Sequence, residues 1–393
     1  MRETIDIRDL ELNALLEITQ AINNNLSEDD LYRVYRFTVL GDLQVKKMLL
    51  YVYDQEWVCK VNFGIGKADQ APELPEAYHQ LDDATTQLSE KTFTDFDFAF
   101  PVLHKKRLLA VVFVGGVRDE KSVDTTFLRA LTNILIVAIE NKKLARQQLQ
   151  QEAYRRELEI AKKVQNFLFP KSLPKDNHLK IEAVYLPHHE VGGDYYDYIK
   201  LNQNKFLVCI ADVSGKGVPA ALLMSNFQAS LRALVRKTHD LHEIVSELNH
   251  ATSISGNGEN FITVFIGIYD YENVIFEYVN CGHNPTYLIT KSGLEKLEEG
   301  TTVLGMFDPL PFLQAGQVKA IHDFVFFGYT DGLTETFSPS GEPYGEENLE
   351  KLLSQPFNSL SELHTRVFKS LDAFRADQPF DDDITIISCQ IKH

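Results

Sequence analysis

From Asp124 to Phe169 the chain contains neither glycine nor proline. That run constrains the fold more than any composition figure, because those are the residues that end helices. The pattern predicts one helix that starts near Asp124 and passes through the apolar residues 128–139. It continues through ENKKLARQQLQQEAYRRELEIAKKVQNFLF to the stop at Pro170. Between residues 140 and 159 the run is mostly charged and amide side chains. The sparse apolar positions Ala145, Leu149, Ala153, Leu158, Ala161, Val164 and Leu168 recur at steps of three to five. A polar helix of this length is not stable through its own burial. Pairing with the same helix of a second copy, as a parallel coiled-coil homodimer, is the simplest way to cover the stripe; a lone solvated linker helix is the alternative. The chain therefore reads as residues 1–139, a helical linker 140–173, and residues 174–393.

A length of 393 residues suits two or three domains. With 44% hydrophobic and 24% charged residues, the composition is that of globular material. The longest strongly apolar run, 108–117, is far short of the roughly 20 residues a bilayer span needs. The first residues, MRETIDIRDL, have no signal-peptide character, so a cytoplasmic protein is expected. A formal net charge of -17 argues against nucleic-acid binding, which needs a basic stripe. Cys59, Cys209, Cys281 and Cys389 form no CxxC pair, and none has an arginine six positions later. Zinc and cysteine-nucleophile chemistry are therefore unsupported, and these cysteines read as small core residues.

The first region opens with an amphipathic helix carrying Leu10, Leu15, Ile18 and Ile22. A second helix starts near Ser27, with Glu28, Asp29 and Asp30 in its first turn. Residues 47–53 and 57–63 flank the polar turn Asp54-Gln55-Glu56. Residues 96–103 and 108–114 flank His104-Lys105-Lys106-Arg107. Two hairpins with helices outside make a sensor-sized α+β unit.

The third region alternates strands and helices. Residues 206–213 form an apolar strand that leads into a helix with Ala220, Leu223, Phe227, Leu231 and Leu234 on one face. Residues 261–269 and 274–280 read as a hairpin, and 324–329 and 384–391 as further strands. Four aspartates sit at strand ends or tight turns: Asp194 in VGGDYYD, Asp212 in IADVSGKG, Asp331 in GYTDGLTET and Asp382 in FDDDITII. Such a set suits hard cations, which take oxygen ligands, keep several waters and use few carboxylates each. Two such ions about 4 Å apart can bridge a water, lower its pKa and clamp an in-line phosphoryl transfer. Aspartate has a short stem, and Gly192, Gly193, Gly215, Gly217 and Gly332 permit close backbone approach. Taken singly, Asp331-Gly332 is equally a plain turn, Asp212 a helix-capping residue, and Asp381-Asp382-Asp383 a solvated acidic loop. Their order within one region is what points to chemistry.

Taken together, AKKVQNFLFPKSLP, VGGDYYDYI, FLVCIADVSGKGVPAALLMS, FITVFIGIYD, YVNCGHNPTYLI, VFFGYTDGLTET and DDDITIISCQI resemble the SpoIIE-type branch of the PPM (type 2C-like) metal-dependent protein phosphatases. The resemblance covers nearly all of 174–393. It implies an αββα sandwich of two antiparallel sheets with helices outside, holding two Mn²⁺ or Mg²⁺ ions. By the same resemblance Asp194, Asp212, Asp331 and Asp382 are the catalytic metal ligands, and Val213 lends a backbone carbonyl where the wider class has glycine. Asp383 stands beside the last ligand, Asp197 is structural, and His283 in NCGHNP marks a strand-to-turn corner. The arginine that the wider class uses to hold substrate phosphate has no counterpart in YLPHHEVGG; His188 and His189 stand in that stretch as exposed histidines or as substitutes.

The first region resembles a GAF sensor domain in architecture, with no chemical motif and no bilin-attachment context at Cys59. Together the resemblances imply a bacterial partner-switching phosphatase with a phosphorylated protein substrate, an anti-sigma-factor antagonist. A small-molecule or protein signal would act at the GAF-like domain. Two other readings compete. GGDYYD has a superficial likeness to the GGDEF turn of diguanylate cyclases, but the Glu-Phe pair is absent. A catalytically silent dimeric sensor or scaffold is the second; it would have lost one or more of these aspartates, and none is lost.

Overall fold

The chain divides into two units, Met1–Ala153 and Tyr154–His393, and the boundary falls inside the long helix. The computed structural model describes residues 7–65, 71–88, 93–116, 125–256 and 258–392. The first six residues of the N-terminal stretch, Val117 at the end of the apolar run, and Asp124 at the predicted start of the long helix lie outside the described residues.

In the first unit α1 (Ile7–Asn23) and α2 (Glu28–Gly41) precede two hairpins, β1 (Lys47–Asp54) with β2 (Glu56–Phe63) and β3 (Phe98–His104) with β4 (Arg107–Gly115). Ser27 caps α2, its Oγ accepting the Asp30 N–H at 3.1 Å, with three acidic residues in the first turn facing the helix dipole. The second hairpin turns through Lys105 and Lys106, both at positive φ, as a tight two-residue turn requires. The sheet order is β2-β1-β4-β3. Strand alternation sends Met48, Leu50, Val112 and Val114 to the face covered by α1, α2 and the first turns of α3 (Thr125–Asn166). Leu49, Tyr51, Val111 and Phe113 go to the opposite face, under Leu74, Tyr78, Phe93 and Phe96. The sheet is buried on both faces, which explains why its strands read as nearly continuous apolar runs.

The long helix ends at Asn166, short of the predicted stop at Phe169. The N–H groups of Phe167 and Leu168 bond three residues back, to Val164 and Gln165, so the last turn tightens and leaves the α-helical path. The cause is packing: Phe169 is buried against the rings of Tyr185, Tyr195 and Tyr196, at centroid distances of 5.0, 5.8 and 5.1 Å.

The second unit continues with β5 (Leu179–Leu186), β6 (Tyr195–Lys200), β7 (Lys205–Val213), α4 (Val218–Leu234), α5 (Leu241–Gly256), β8 (Ile262–Asp270) and β9 (Ile275–Cys281). There follow β10 (Thr286–Thr290), β11 (Gly293–Leu297), β12 (Gly300–Thr301), β13 (Gly316–Lys319), β14 (Phe324–Tyr329), α6 (Asp331–Thr334), α7 (Gly345–Leu353), α8 (Leu360–Arg375) and β15 (Ile384–Ile391). One sheet runs β11-β10-β14-β15-β5, the other β12-β9-β8-β7-β6, with β13 also on β9. Pairing is antiparallel except for the two-residue β12, which runs parallel to β9. Phe206, Val208, Ile210, Phe265, Phe326 and Ile387 fill the space between the sheets. The alternate residues Leu207, Cys209, Ala211, Val264 and Ile266 pack under α4 and α5, while Phe327, Tyr329, Ile384 and Ile386 pack under α7 and α8. The result is the four-layer αββα sandwich. Cys209, Cys281 and Cys389 are buried and Cys59 is half-buried; all four are free thiols. Among the described residues no helix is long and apolar enough to cross a membrane.

Asp197 pins α4 to β6. It is fully buried and receives Arg232 Nε and Nη2 at 2.9 and 2.8 Å and Tyr195 Oη at 2.5 Å. Burial raises the pKa of its carboxyl, and Arg232 and Tyr195 oppose that rise. This is a structural role, as the sequence implies. Removing one partner of a buried pair leaves an uncompensated charge. Arg232→Ala is therefore expected to destabilise the unit by about 3 kcal/mol, read as a lowered urea midpoint. A loss under about 1 kcal/mol, the worth of an exposed pair, would mean that the pair does not hold α4.

Candidate metal centre

Antiparallel pairing decides which residues meet at the end of the sandwich. Tyr195 pairs with Ala211, so Asp194, just before β6, comes beside Asp212 near the end of β7. Tyr329 pairs with Ile386, and the Thr330 N–H donates to Thr385 O at 3.0 Å. This brings Asp331 beside Asp382 and Asp383. All four sequence-predicted aspartates gather at one end of the sandwich, two from each sheet.

Asp194 is 1% exposed. Its Oδ2 accepts the hydroxyls of Thr330 at 2.7 Å and Thr385 at 2.6 Å. Thr330 Oγ1 in turn accepts the Thr385 N–H at 2.9 Å, which fixes the direction of its own proton. Both threonines belong to the opposite sheet. Neither was singled out in the sequence, although each adjoins an aspartate motif, in TDG and DDIT.

The carboxylates disfavour one another's charge. Burial first, then Asp331 and Asp382, pushes Asp212 up to about 8. Burial, Asp212 and Asp383 raise Asp194 well above the usual carboxylate range, against the two threonine hydroxyls. Burial, Glu335 and Asp382 push Asp331 up to about 6. Glu335, in the same TDGLTE motif, is a further acidic neighbour that the sequence did not bring forward. A cluster of this kind is what a divalent cation offsets. Among the described residues no three His, Cys, Asp or Glu side chains are drawn together as a finished ligand cage.

The glycines work by what they leave out. A Cβ on Gly193 would stand 2.8 Å from the Val213 carbonyl oxygen, which brings that carbonyl to the VGGD loop. A Cβ on Gly192 would collide with the Asp383 carboxylate and the Tyr185 hydroxyl, and one on Gly332 with the Asp383 backbone carbonyl. Asp383 is committed to that loop: its carboxylate accepts the N–H groups of His188 at 2.7 Å and Gly193 at 3.0 Å. Asp382 keeps its carboxylate at the rim, where Lys216 Nζ lies 2.7 Å away. The geometry thus separates a ligand candidate, Asp382, from a backbone clasp, Asp383. Together, the oxygen-only donor set, the Val213 carbonyl and the crowded negative charge fit a divalent cation.

Gln165, at the end of α3, was read only as part of the helix. It is buried; its Nε2 donates to Gly192 O at 2.7 Å and its Oε1 accepts the Gly192 N–H at 3.3 Å. Lys162 pairs with Glu190 at 3.3 Å. The helix end therefore holds the loop that carries Asp194. His188 and His189 are exposed, their rings edge to face. His283 is buried, with its N–H on Asn280 Oδ1 at 2.8 Å and Nδ1 2.9 Å from Thr263 Oγ1. Burial pushes its pKa down to about 4, so it stays neutral, in keeping with a structural corner.

Residues 202–392 match the family model described as Stage II sporulation protein E (SpoIIE). The chain is 28% identical over 275 residues to Protein IcfG of Synechocystis sp., covering 63% of this chain and 43% of that protein. It is 29% identical over 240 residues to the phosphoserine phosphatase RsbU of Bacillus subtilis, covering 60% of this chain and 70% of that one. The chain thus spans less than half the length of the Synechocystis relative. The SiaA-PP2C domain of Pseudomonas aeruginosa has the same fold, with a TM-score of 0.55 at 20% identity over 62% of this chain and 99% of that one.

A raised carboxylate pKa has a stability consequence. The protonated forms of Asp212 and Asp331 stabilise the fold fully below about pH 4, the unfolded-state value. That contribution disappears as pH rises through about 6 and about 8. In EDTA the melting temperature should fall between pH 5 and 8.5. Mn²⁺ should cancel the fall and Asp212→Asn should flatten it. A melting temperature independent of pH in EDTA would refute the crowding of charge described here.

Proposed function

We propose, from the match of residues 202–392 to the SpoIIE family model, that this chain is a metal-dependent protein phosphatase acting on phosphoserine or phosphothreonine. The observation that carries the reading is the convergence of Asp194, Asp212, Asp331 and Asp382 from the ends of both sheets, with burial and like charge set against the first three. When bound there, Mn²⁺ or Mg²⁺ supplies charge compensation and an activated water. Asp194, Asp212, Asp331, Asp382 and the Val213 carbonyl are the residues that would hold two such ions. Thr330 and Thr385 orient Asp194, and Asp383 fixes the backbone at His188 and Gly193. Outer contacts of this kind tune a metal site nearly as much as its ligands do.

The substrate in this reading is a phosphorylated protein, an anti-sigma-factor antagonist of a bacterial partner switch, in the cytoplasm. The first unit is a GAF-like sensor for a small-molecule or protein signal, and residues 140–173 are a coiled-coil linker. Support for the linker comes from Leu149 and Val164, two exposed apolar side chains of the predicted stripe on α3. A second copy covers such a stripe.

With p-nitrophenyl phosphate and a phosphoserine peptide, turnover should require Mn²⁺ or Mg²⁺ and stop in EDTA. Asp212→Asn and Asp331→Asn should each lower kcat/KM by on the order of 100-fold or more, with their melting curves intact. No turnover together with no Mn²⁺ binding in calorimetry would overturn the enzyme reading and leave a sensor scaffold. Light scattering on the full chain should give a dimer, and Leu149→Arg should shift it toward monomer; a wild-type monomer at tens of micromolar would remove the coiled coil.

A further inference from the structure

Resting on the phosphatase reading above, we propose that Lys216 is the side chain that takes the phosphoryl group of the substrate. A phosphate monoester brings about two negative charges to a site already walled by Asp194, Asp212, Asp331 and Asp382. A cation of the chain facing it from the open side would offset that charge alongside the metal ions. Lys216 is so placed. Its Nζ lies 2.7 Å from Asp382 Oδ2 and 2.8 Å from the Asp381 carbonyl oxygen. Its side chain is 49% exposed, so it reaches the centre from the solvent rim, the side from which a protein-borne phosphate arrives.

The local backbone suits a side chain that changes partner. Gly215 and Gly217 flank Lys216 at φ +91° and +70°, and a Cβ on either would meet nothing within 4 Å. Glycine is needed at these positions for its conformation and not for want of room. Lys216 thus sits between two permissive joints in open space, directly before α4. A cation bound at Asp382 would repel the ammonium, and a phosphate oxygen would receive it. Lysine binds phosphate as a compact point charge on a flexible stem.

The other nearby cationic candidates are placed less well. His188 reaches the centre through its backbone N–H on Asp383, while its exposed ring packs on that of His189 at 4.4 Å. Arg232 is held by the buried Asp197 through two hydrogen bonds.

The test measures orthophosphate binding to the Mn²⁺-loaded full chain by calorimetry, with Mn²⁺ binding and phosphoserine-peptide kinetics on the same samples. Lys216→Gln should weaken phosphate binding about 10-fold, in line with loss of one charge-assisted hydrogen bond. It should raise KM by a similar factor and leave Mn²⁺ affinity undiminished, since no ammonium then competes for Asp382. Lys216→Arg should restore most of the phosphate affinity. A Lys216→Gln protein that binds phosphate as the wild type does would overturn the assignment while leaving the phosphatase reading intact. So would one that loses Mn²⁺ affinity 10-fold with phosphate binding unchanged, because Lys216 would then be a strut for Asp382. A wild type that binds Mn²⁺ yet neither binds phosphate nor hydrolyses the peptide would overturn both.

Discussion

One oxygen of Asp194, held by the hydroxyls of Thr330 and Thr385, joins the two sheets at the end where the chemistry lies. The carboxylate comes from the six-stranded sheet and both donors from the five-stranded one. Without those donors, Asp194 would be a buried acid facing Asp212 with nothing to orient it, and burial would favour its neutral form. With them, Oδ2 is occupied and the carboxylate is oriented. The positions of Asp331 and Asp382 then follow from the strand pairing that brings Thr330 and Thr385 to the same place, and that of Asp212 from the pairing of β6 with β7. The end of the sandwich is thus a region where electrostatic repulsion is tolerated because hydrogen bonds and hydrophobic layers farther down the strands hold the frame.

Much of this was legible from the chain, and the reasons are local. The apolar runs over 206–213 and 261–269 predict strands, and they are continuous because one side of each packs between the sheets and the other under helices. Ser27 with three acids after it predicts a helix start, and α2 begins there. Asp194 and Asp331 were visible because each lies beside a glycine whose missing side chain leaves room for its neighbour. Thr330, Thr385 and the clasp made by Asp383 were harder to find. Their partners lie 136 to 191 residues away in sequence, and a threonine after an acid or before one carries no periodic signal. The end of α3 was misplaced for a related reason. Helix propensity and the lack of a breaker extend it to Phe169, whereas the tyrosines that draw Phe169 inward come from β5 and β6.

Gln165 shows how the end of a helix can govern a loop without touching the reacting groups. Its amide matches the two backbone groups of Gly192 as a neighbouring strand would. Displacing the last turn of α3 would release that edge, and the loop carrying Asp194 would then be held at Gly193 by Asp383 and at Asp194 by the two threonines. The surroundings of the centre are therefore held from the helix end on one side and from the facing sheet on the other.

The placement of β15 has a consequence for biosynthesis. This strand lies between β14 and β5, and it carries or adjoins Asp382, Asp383 and Thr385. Until it leaves the ribosome, the five-stranded sheet has a gap and Asp194 lacks half its hydroxyl support. Contacts of such high sequence separation form late. A nascent chain that stops short of β15 carries the aspartates that precede it but lacks Thr385 and the strand that holds Asp382 and Asp383 beside Asp331, so the arrangement is complete only when this strand is in place.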